Sequence, residues 1–412
     1  MTEPLARPKR KNPLARTRAP LLPPQARSRT AQGLTAAAAE GRFMLQVCGE
    51  CGTVAYPPRE ACPSCLSPRL PFKDVDRNGT VLSETTVHIS PEPYFRERPP
   101  RRIGLVKLDA GPTAVAYLHG DVMPKARVRL DLKLDRGGAP VIFALPQEDT
   151  PNMADDPALR EMTCDPKFRR ALVTDGRGPL GQALAKALVD AGASLVFVGI
   201  DNSWKPFAGE DKLRALAGVE IVPLDLTDSN SVTELAQQIG GRVDIVVNTA
   251  EHVRAGGVVG HGLSDARDAM ELRYFGLLRL AQAFGPVLRM RGADGVNSAA
   301  AFVNLLSVHA LAAWPAYGVF SAVEAACLSA GQSLRAELRG GGVKVVNAFA
   351  GPLETEWYQT VPPPKVAPSA LAKAVIDALR KGTEDVFVGD VAQDIRARLA
   401  VNPKALEREL GE

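Results

Sequence analysis

The sequence predicts a multidomain protein in which a zinc ribbon and a five-stranded β-barrel precede an α/β unit built on a doubly wound parallel sheet. A chain of 412 residues, at about 100–200 per domain, is long enough for two or three folded units. Four cysteines stand in two closely spaced pairs, and the second half alternates strand-like and helix-like stretches. The hydrophobic fraction of 45% and the charged fraction of 23% are those of a globular protein, which excludes collagen-like and fully disordered chains.

The net charge of +4 is concentrated at the N-terminus. Residues 1–42 contain nine Arg/Lys against Glu3 and Glu40, so the rest of the chain carries −3. Because a basic, Pro-rich segment with few apolar residues cannot bury enough surface to offset its ordering entropy, we predict a disordered tail over residues 1–41. A short arm that binds an acidic partner or nucleic acid is the alternative. Apolar runs of membrane-spanning length and a signal-peptide pattern are both missing, so we expect a cytoplasmic protein without a membrane partner.

Two C-x2-C pairs, ten residues apart, follow the tail. They consist of Cys48, Cys51, Cys62 and Cys65. This spacing allows two tight turns to present four thiolates to one tetrahedral ion, and a chain without a secretory signal disfavours disulfides. We therefore predict a structural zinc ion, whose four protein ligands leave no open coordination position for catalysis.

Residues 42–147 are predicted to contain the zinc ribbon and the barrel, because short β segments alternate there with turn residues. Apolar and charged residues alternate along 128–134, as in a strand with one buried and one solvated face. The five predicted strands are Thr80–Ile89, Ile103–Asp109, Thr113–His119, Val128–Leu134 and Val141–Leu145. Residues 148–167 are acidic, contain proline and lack periodicity, so we predict a linker.

The run RFMLQVCGECGTVAYPPREACPSCLS, followed by GTVLSETTVH and RIGLVKLDAGPTAVAYLHG, resembles the zinc-ribbon and OB-fold family that accompanies thiolases and thiolase-like aldolases. The resemblance implies that the barrel is an OB-fold. It also implies a non-catalytic partner that binds a thiolase-fold subunit and contributes to holding acyl-CoA.

One loop of this module interleaves aromatic and basic residues. Tyr94 and Phe95 lie beside the four candidate acyl-CoA ligands, Arg96, Arg98, Arg101 and Arg102. Such a loop could stack a base and neutralise phosphates. Coenzyme A carries both groups, and so do the oligonucleotides that OB-folds otherwise bind. A solvated loop with no ligand is the third interpretation.

Residues 168–402 change to an α/β pattern, in which apolar runs alternate with helical stretches such as Pro179–Ala191 and Ala316–Arg339. This alternation predicts βαβ units on a parallel sheet covered by helices on both faces. Residues 403–412 are predicted to be a C-terminal tail. The predicted strands are Ala171–Thr174, Leu195–Gly199, Ile221–Pro223, Ile245–Asn248, Phe302–Leu306, Val343–Phe349 and Val386–Val388.

Five landmarks occur in order in this half: TDGRGPLG at 174–181, LDLTD at 224–228, VNTA at 247–250, NLLSVHA at 304–310 and AGPLET at 350–355. They resemble the short-chain dehydrogenase/reductase family, a single Rossmann-like domain that binds NAD(P). The resemblance implies that a serine holds the substrate oxygen and a tyrosine transfers its proton, while a lysine four residues later lowers the pKa of the tyrosine.

The residues at the reaction positions do not match this chemistry. Counting thirteen residues on from Ser307, which matches the family serine, puts Phe320 at the tyrosine position and Glu324 at the lysine position. The active-site asparagine of the family falls near Arg273. Phenylalanine has no proton to give, and a carboxylate raises the pKa of a neighbouring phenol. Tyr317 is the nearest substitute acid, and we predict a catalytically degenerate domain with no intact catalytic set.

The dinucleotide site is only partly retained. Asp175 and Pro179 break the family glycine pattern, because they bring a negative charge and remove an N–H donor near the helix N-terminus. Glu251 replaces a glycine of the cofactor cleft. A more general G-x-G-x-x-G pattern remains, so we expect weak NAD(P) binding or none. The candidate cofactor-binding residues are Gly176, Gly178, Gly181, Asp201, Asp225 and Thr355.

Two predicted helices, 262–291 and 316–340, carry apolar faces and correspond to the helix pair that forms the dimer interface in the family. The expected function is therefore that of a scaffold subunit in a thiolase-type, β-oxidation-like acyl-CoA complex. Its expected partners are a thiolase-fold subunit, acyl-CoA, and either a second copy or an active short-chain dehydrogenase. The alternatives are an NAD(P)-dependent oxidoreductase of 3-hydroxyacyl- or 3-ketoacyl-CoA with a non-standard acid, and a nucleic-acid binder.

Overall fold

The chain forms two compact units in a computed structural model. The first consists mainly of Leu21–Cys164, and the second of Asp165–Leu379 and Glu384–Glu412. About half of the predicted disordered tail lies outside the described residues. Among the helices described, none combines the length and apolar character that a membrane span requires. The structure describes residues 2–7, 22–23, 29–96, 98, 100–202, 204–260, 262–291 and 300–412.

A short helix and a three-stranded sheet begin the first unit. Helix α1 (Gln32–Ala39) lies within the predicted tail, where the run LTAAAA supplies residues of high helix propensity. Its Leu34, Ala37 and Ala38 are buried in the same core as the barrel interior. The sheet has the order β2-β1-β3 and is antiparallel. Its strands are β1 (Met44–Val47), β2 (Val54–Ala55) and β3 (Phe72–Asp74).

The five predicted barrel strands are confirmed, and they close in the order β4-β5-β6-β8-β7. Along the predicted alternating strand, Val128, Leu130 and Leu132 point into the core, where each is at most 3% exposed. The strands are β4 (Asn78–Val87), β5 (Arg101–Leu108), β6 (Thr113–Leu118), β7 (Arg127–Leu134) and β8 (Pro140–Pro146), with the short helix α2 (Pro93–Arg96) between β4 and β5.

The predicted linker contains ordered structure that packs on the barrel. A 3-10 turn over Met153–Asp155 precedes helix α3 (Pro157–Met162). The carboxylate of Asp156 accepts the N–H of Leu159 at 2.9 Å and caps α3. Leu159 and Met162 are buried against Phe143 and Leu145 of β8. A helix of six residues is too short to show an apolar period, so it could not be predicted from the sequence.

The second unit is built on the predicted parallel sheet, which has seven strands in the order β11-β10-β9-β12-β13-β14-β15. This is a doubly wound arrangement, in which the strand order reverses between β9 and β12 and leaves a crevice at their carboxyl ends. The prediction is confirmed. The strands are β9 (Arg170–Val173), β10 (Leu195–Ile200), β11 (Val219–Pro223), β12 (Ile245–Asn248), β13 (Ala301–Ser307), β14 (Lys344–Ala350) and β15 (Asp385–Val388).

Helices cover this sheet, and one of them is interrupted. The predicted helix 262–291 consists of α7 (Leu263–Ala269), a π-helical segment (Met270–Phe275) and α8 (Gly276–Arg291). The predicted C-terminal tail contains α12, whose Leu406 is buried in the core of the unit. The remaining helices are α4 (Pro179–Asp190), α5 (Glu210–Arg214), α6 (Ser229–Ile239), α9 (Gly318–Arg339), α10 (Pro368–Lys381), α11 (Asp390–Val401) and α12 (Pro403–Glu409).

Candidate functional site

The four paired cysteines meet at one point of the ribbon, with their sulfur atoms all within 4.8 Å of one another. The Sγ atoms of Cys48 and Cys65 are 3.6 Å apart, and those of Cys51 and Cys62 are 3.5 Å apart. Zinc–sulfur bonds of about 2.3 Å in a regular tetrahedron require sulfur separations of roughly 3.8 Å. The predicted ligand set is therefore confirmed in its placement, and four thiolates fit a closed structural zinc site.

The two turns that carry these cysteines are built alike. The N–H of Glu50 donates to the Cys48 sulfur and the N–H of Ser64 donates to the Cys62 sulfur, both at 3.4 Å. Each turn ends in a residue with positive φ, Gly52 at 73° and Leu66 at 62°. Gly52 adopts a positive φ without strain, so its role can be recognised in the sequence. Leu66 is strained in the same conformation.

The reaction positions of the second unit contain a buried ion pair. Arg273, on the π-helical segment, donates through Nε (2.8 Å) and Nη2 (2.5 Å) to Oε1 of Glu324 on α9. Glu324 is fully buried and Arg273 is 5% exposed. The second carboxylate oxygen accepts the backbone N–H of Ser307 at 2.7 Å. Arg273 also donates to the carbonyl oxygens of Ala250 and of Leu305, so charge and hydrogen-bonding capacity are satisfied together.

Tyr317, the predicted substitute for the family tyrosine, contacts Trp314 and Thr360. Phe320 lies beside the ion pair, buried, with its ring edge-on to Tyr317 at 6.5 Å between centroids. Tyr317 stacks on Trp314 at 4.2 Å, and its hydroxyl lies 3.4 Å from Oγ1 of Thr360. The contact that the Tyr317 hydroxyl makes in this structure is therefore with Thr360.

A small cavity of about 30 Å³ remains at this place. It has room for one or two water molecules, whereas cofactor and substrate pockets measure roughly 300–1,000 Å³. Its lining includes Glu251, His252, Ser307 and Tyr358. Burial raises the pKa of Glu251 to about 7, with Arg273 opposing the shift. Burial also raises the pKa of Tyr358, and Glu251 adds to that effect, which is the opposite of what a catalytic tyrosine needs.

The glycine-rich turn between β9 and α4 serves packing at two of its three glycines. A Cβ on Gly176 would lie 2.1 Å from Val198, and one on Gly181 would lie 1.8 Å from the carbonyl oxygen of Asp175. Gly178 has no neighbour within 4 Å of such a Cβ and precedes Pro179, the first residue of α4. Burial raises the pKa of Asp175 in this turn.

Two of the other candidate cofactor residues, Asp201 and Asp225, form bonds with neighbouring side chains of the protein. Arg177 forms an ion pair with Asp201 at 2.5 Å. Asp225 accepts the N–H and the hydroxyl of Thr227 at 2.8 and 2.7 Å. Thr355 alone presents a buried hydroxyl without a partner among the described residues.

Several of these residues are unfavourable for binding the phosphates and ribose of a dinucleotide. Asp175 and Glu251 place carboxyl groups where the family lacks them, and Pro179 lacks the N–H donor of a phosphate cradle. Asp201, one of the candidate cofactor-binding residues, is already paired with Arg177. We therefore derive no hydride-transfer step for this chain.

The candidate acyl-CoA arginines of the barrel have different environments. Arg101 pairs with Glu161 of α3, and Arg98 lies 3.5 Å from the same carboxylate. Arg102 pairs with Glu84 at 2.8 Å. Arg96 is exposed. The sequence did not reveal Glu161, because it is distant along the chain from the arginines, and it did not reveal the pairing of Arg177 with Asp201.

The doubly wound sheet, the glycine-rich turn and the serine at the end of β13 define a short-chain dehydrogenase/reductase domain, carried behind a zinc ribbon and a five-stranded barrel. Residues 177–392, slightly more than half of the chain, match the family model described as "Enoyl-(Acyl carrier protein) reductase", and the chain belongs to this family. Residues 35–71 match "ChsH2, rubredoxin-like zinc ribbon domain" and residues 73–135 match "ChsH2, C-terminal OB-fold domain". Both predicted resemblances are confirmed.

Known proteins similar to the second unit are dehydrogenases and oxidoreductases. An uncharacterized oxidoreductase of Staphylococcus aureus is 28% identical over 221 residues, which cover 51% of this chain and 90% of that protein. A short-chain dehydrogenase of Penicillium ochrochloron is 29% identical over 198 residues, which cover 47% of this chain and 69% of that protein. A crystal structure of a Burkholderia cenocepacia short-chain dehydrogenase in complex with NADP is 32% identical, with a TM-score of 0.54, and covers 59% of this chain and 98% of that one.

Proposed function

We propose that this protein is a non-catalytic accessory subunit of a thiolase-type complex that processes acyl-CoA in a β-oxidation-like sequence. The observation that carries the proposal is the buried ion pair between Arg273 and Glu324. It fills two of the positions that a short-chain dehydrogenase uses for proton transfer, and Phe320 fills a third. A domain with these substitutions keeps the fold of a dehydrogenase and a surface that can bind partners.

The N-terminal module supports the assignment to acyl-CoA chemistry. It matches the ChsH2 zinc-ribbon and OB-fold models, and its resemblance to the modules that accompany thiolases implies a thiolase-fold partner. Its closed cysteine cluster is suited to stabilising a module that binds other molecules, because all four metal ligands come from the chain.

Pairing with another subunit would use the part of the predicted helix pair that the core of the second unit leaves exposed. In the apolar stripe on α8 and α9, Leu280, Phe284 and Val323 belong to the core of the unit itself. Phe275, at the end of the π-helical segment, is 43% exposed. Pairing with a second copy or with an active short-chain dehydrogenase would cover it.

The catalytic part of the proposal is tested with the purified full chain, NAD(P)+ or NAD(P)H, and 3-hydroxyacyl- or 3-ketoacyl-CoA. We expect no turnover of the nucleotide above a no-protein control. Steady turnover that Tyr317→Phe or Tyr358→Phe abolishes would favour the alternative, an oxidoreductase that uses a non-standard acid.

The scaffold part is tested by affinity purification of the full chain from its native host, followed by mass spectrometry. We expect a thiolase-fold subunit in stoichiometric amount, and its loss with Cys51→Ser, which removes a metal ligand. A Cys164→Ala chain serves as the matched control. Recovery of nucleic acid without a thiolase-fold protein would contradict the proposal and favour the nucleic-acid binder.

A further inference from the structure

The second half of β4 has a free edge. On one side β4 pairs with β5 as far as Val87, but on the other side its pairing with β7 covers only Asn78–Thr80 and one bond from the N–H of Val81. A bulge between Val81 and Ser83 lies where β4 separates from β7. Among the strands that the structure describes, none pairs with residues 82–87 on that side. All six residues are exposed, so no other part of the chain covers this edge.

The register of the β4–β5 pair shows which backbone groups point to the free edge. Alternate residues of a strand bond to opposite neighbours. The N–H of Leu108 donates to the carbonyl of Pro112 on the β6 side, so the odd-numbered residues of β5 bond to β4. Their partners on β4 are Ser83, Thr85 and Val87. The N–H and C=O groups of Glu84 and Thr86 therefore point away from β5 and are available to another strand.

This edge lacks the features that keep edge strands from pairing. Natural edges are blocked by proline, by lysine or by very short strands. Residues 82–89 read LSETTVHI and contain no proline, lysine or glycine. The acidic side chain of Glu84 is neutralised by Arg102 at 2.8 Å, and Leu82 and Ile89 are 51% and 87% exposed. A segment of this composition, about 20 Å long over six residues, favours pairing with a further strand.

Two copies of the edge match when a two-fold axis relates them at Thr86. In such an antiparallel pair Thr86 faces its own copy, and Glu84 faces His88 of the second copy. An imidazole N–H can donate to the facing carboxylate. An axis at Glu84 would place two carboxylates opposite each other, which is destabilising, and an axis at Thr85 would place Leu82 opposite His88. Charge complementarity thus favours a second copy of the chain as the occupant.

We propose that the free edge of β4 is a homodimerisation surface, at which two copies of the chain pair their Glu84–His88 segments antiparallel about a two-fold axis at Thr86. The β4–β5 hairpins of the two copies then form one continuous antiparallel sheet, and the backbone groups of Glu84 and Thr86 acquire partners. This surface belongs to the barrel, and the inference does not depend on the proposed function.

Cysteine cross-linking of the zinc-loaded full chain tests the register. Facing, backbone-bonded residues have Cα atoms about 5.5 Å apart, within the reach of a disulfide. We therefore expect Thr86→Cys to convert most of the chain to a disulfide-linked dimer under mild oxidation. Thr85→Cys is the matched control, because its copy lies diagonally at about 7–8 Å, beyond that reach. Equal yields from the two variants, or a yield from Thr86→Cys no higher than that of the wild type, would overturn the inference.

A second measurement compares masses in solution by analytical ultracentrifugation. Thr86→Lys places two ammonium groups opposite each other across the axis, and we expect it to halve the mass of the wild-type assembly. Val115→Lys makes a similar change at a residue that is 60% exposed on β6, away from the edge, and should leave the mass unchanged.

An unchanged mass in Thr86→Lys would contradict pairing at β4, and a loss of mass in Val115→Lys alone would place the contact on the face of the barrel instead. Pairing through the helices of the second unit, which belongs to the proposed function, does not involve Thr86. A failure of one contact can therefore be told from a failure of the other.

Discussion

Arg273 and Glu324 are compatible only as a pair. Either one alone would bury an uncompensated charge between β12, β13 and α9, at a cost of several kcal/mol. The position next to Ser307 therefore holds a fixed ion pair, since the carboxylate of Glu324 is used by two side-chain nitrogens and one backbone N–H.

Removing one member of this ion pair should destabilise the second unit strongly. We expect Glu324→Gln to cost about 3–5 kcal/mol, because Arg273 is left charged and buried, whereas Arg273→Met with Glu324→Met should cost much less. Asp190→Asn, in the exposed pair with Lys186, is the control and should change stability by less than about 1 kcal/mol. Guanidinium unfolding measures all three, and equal losses in the single and double variants would contradict this account.

Glu251 should make the stability of the second unit depend on pH. Its pKa in the folded chain is about 7, against about 4.3 in an unfolded chain, so the folded state holds the proton more tightly. Stability is therefore lost as pH rises from about 4.3 to 7. Glu251→Gln removes this loss, and calorimetry should show it about 1–3 kcal/mol more stable than wild type at pH 8 and equal to it near pH 4.5. A constant difference across that range would refute the assignment.

At the scale of elements, close packing alone accounts for two of the three glycines in the β9–α4 turn. We expect Gly181→Ala to destabilise the second unit by more than about 2 kcal/mol, because its Cβ would overlap the carbonyl oxygen of Asp175. Gly178→Ala, next to open space and at φ −82°, should be tolerated. Thermal unfolding of the two variants compares them, and similar losses would show that space does not decide the pattern.

The zinc ribbon should depend on its metal. Elemental analysis should find one zinc ion per chain, and Cys51→Ser should lose it and unfold the ribbon, because a three-stranded sheet of this size has little core of its own. Cys164→Ala, remote from the cluster in the sequence, should retain the zinc. A folded, metal-free Cys51→Ser chain would contradict the structural role.

Elements with a long apolar pattern were predictable and short ones were not. The barrel strands and the seven strands of the parallel sheet follow from alternation and from buried apolar runs. Helices α1, α3 and α12 were placed in predicted tails and a linker, because each turns only a few apolar residues inward and acquires its stability from the unit it packs on. Tertiary packing, which local sequence does not encode, decides such segments.

For the molecule as a whole, the positions predicted from family motifs proved to be close together in the structure. Arg273, Ser307 and Glu324 are separated by up to 51 positions and share one network, and the four cysteines converge as their spacing predicted. The contacts of Glu161 with Arg98 and Arg101, and of Arg177 with Asp201, could not be predicted, because no motif fixes the distance between a loop and a segment far along the chain.

The packing of α3 against β8 determines where a fragment of this protein can end. A fragment that stops at residue 147 would expose Phe143 and Leu145, both at most 4% exposed in the intact chain, and would leave two arginines facing an unfilled hollow. A fragment that continues to Cys164, where the first unit ends, keeps that apolar surface covered. Binding studies on the shorter piece would report on a surface that the intact protein conceals.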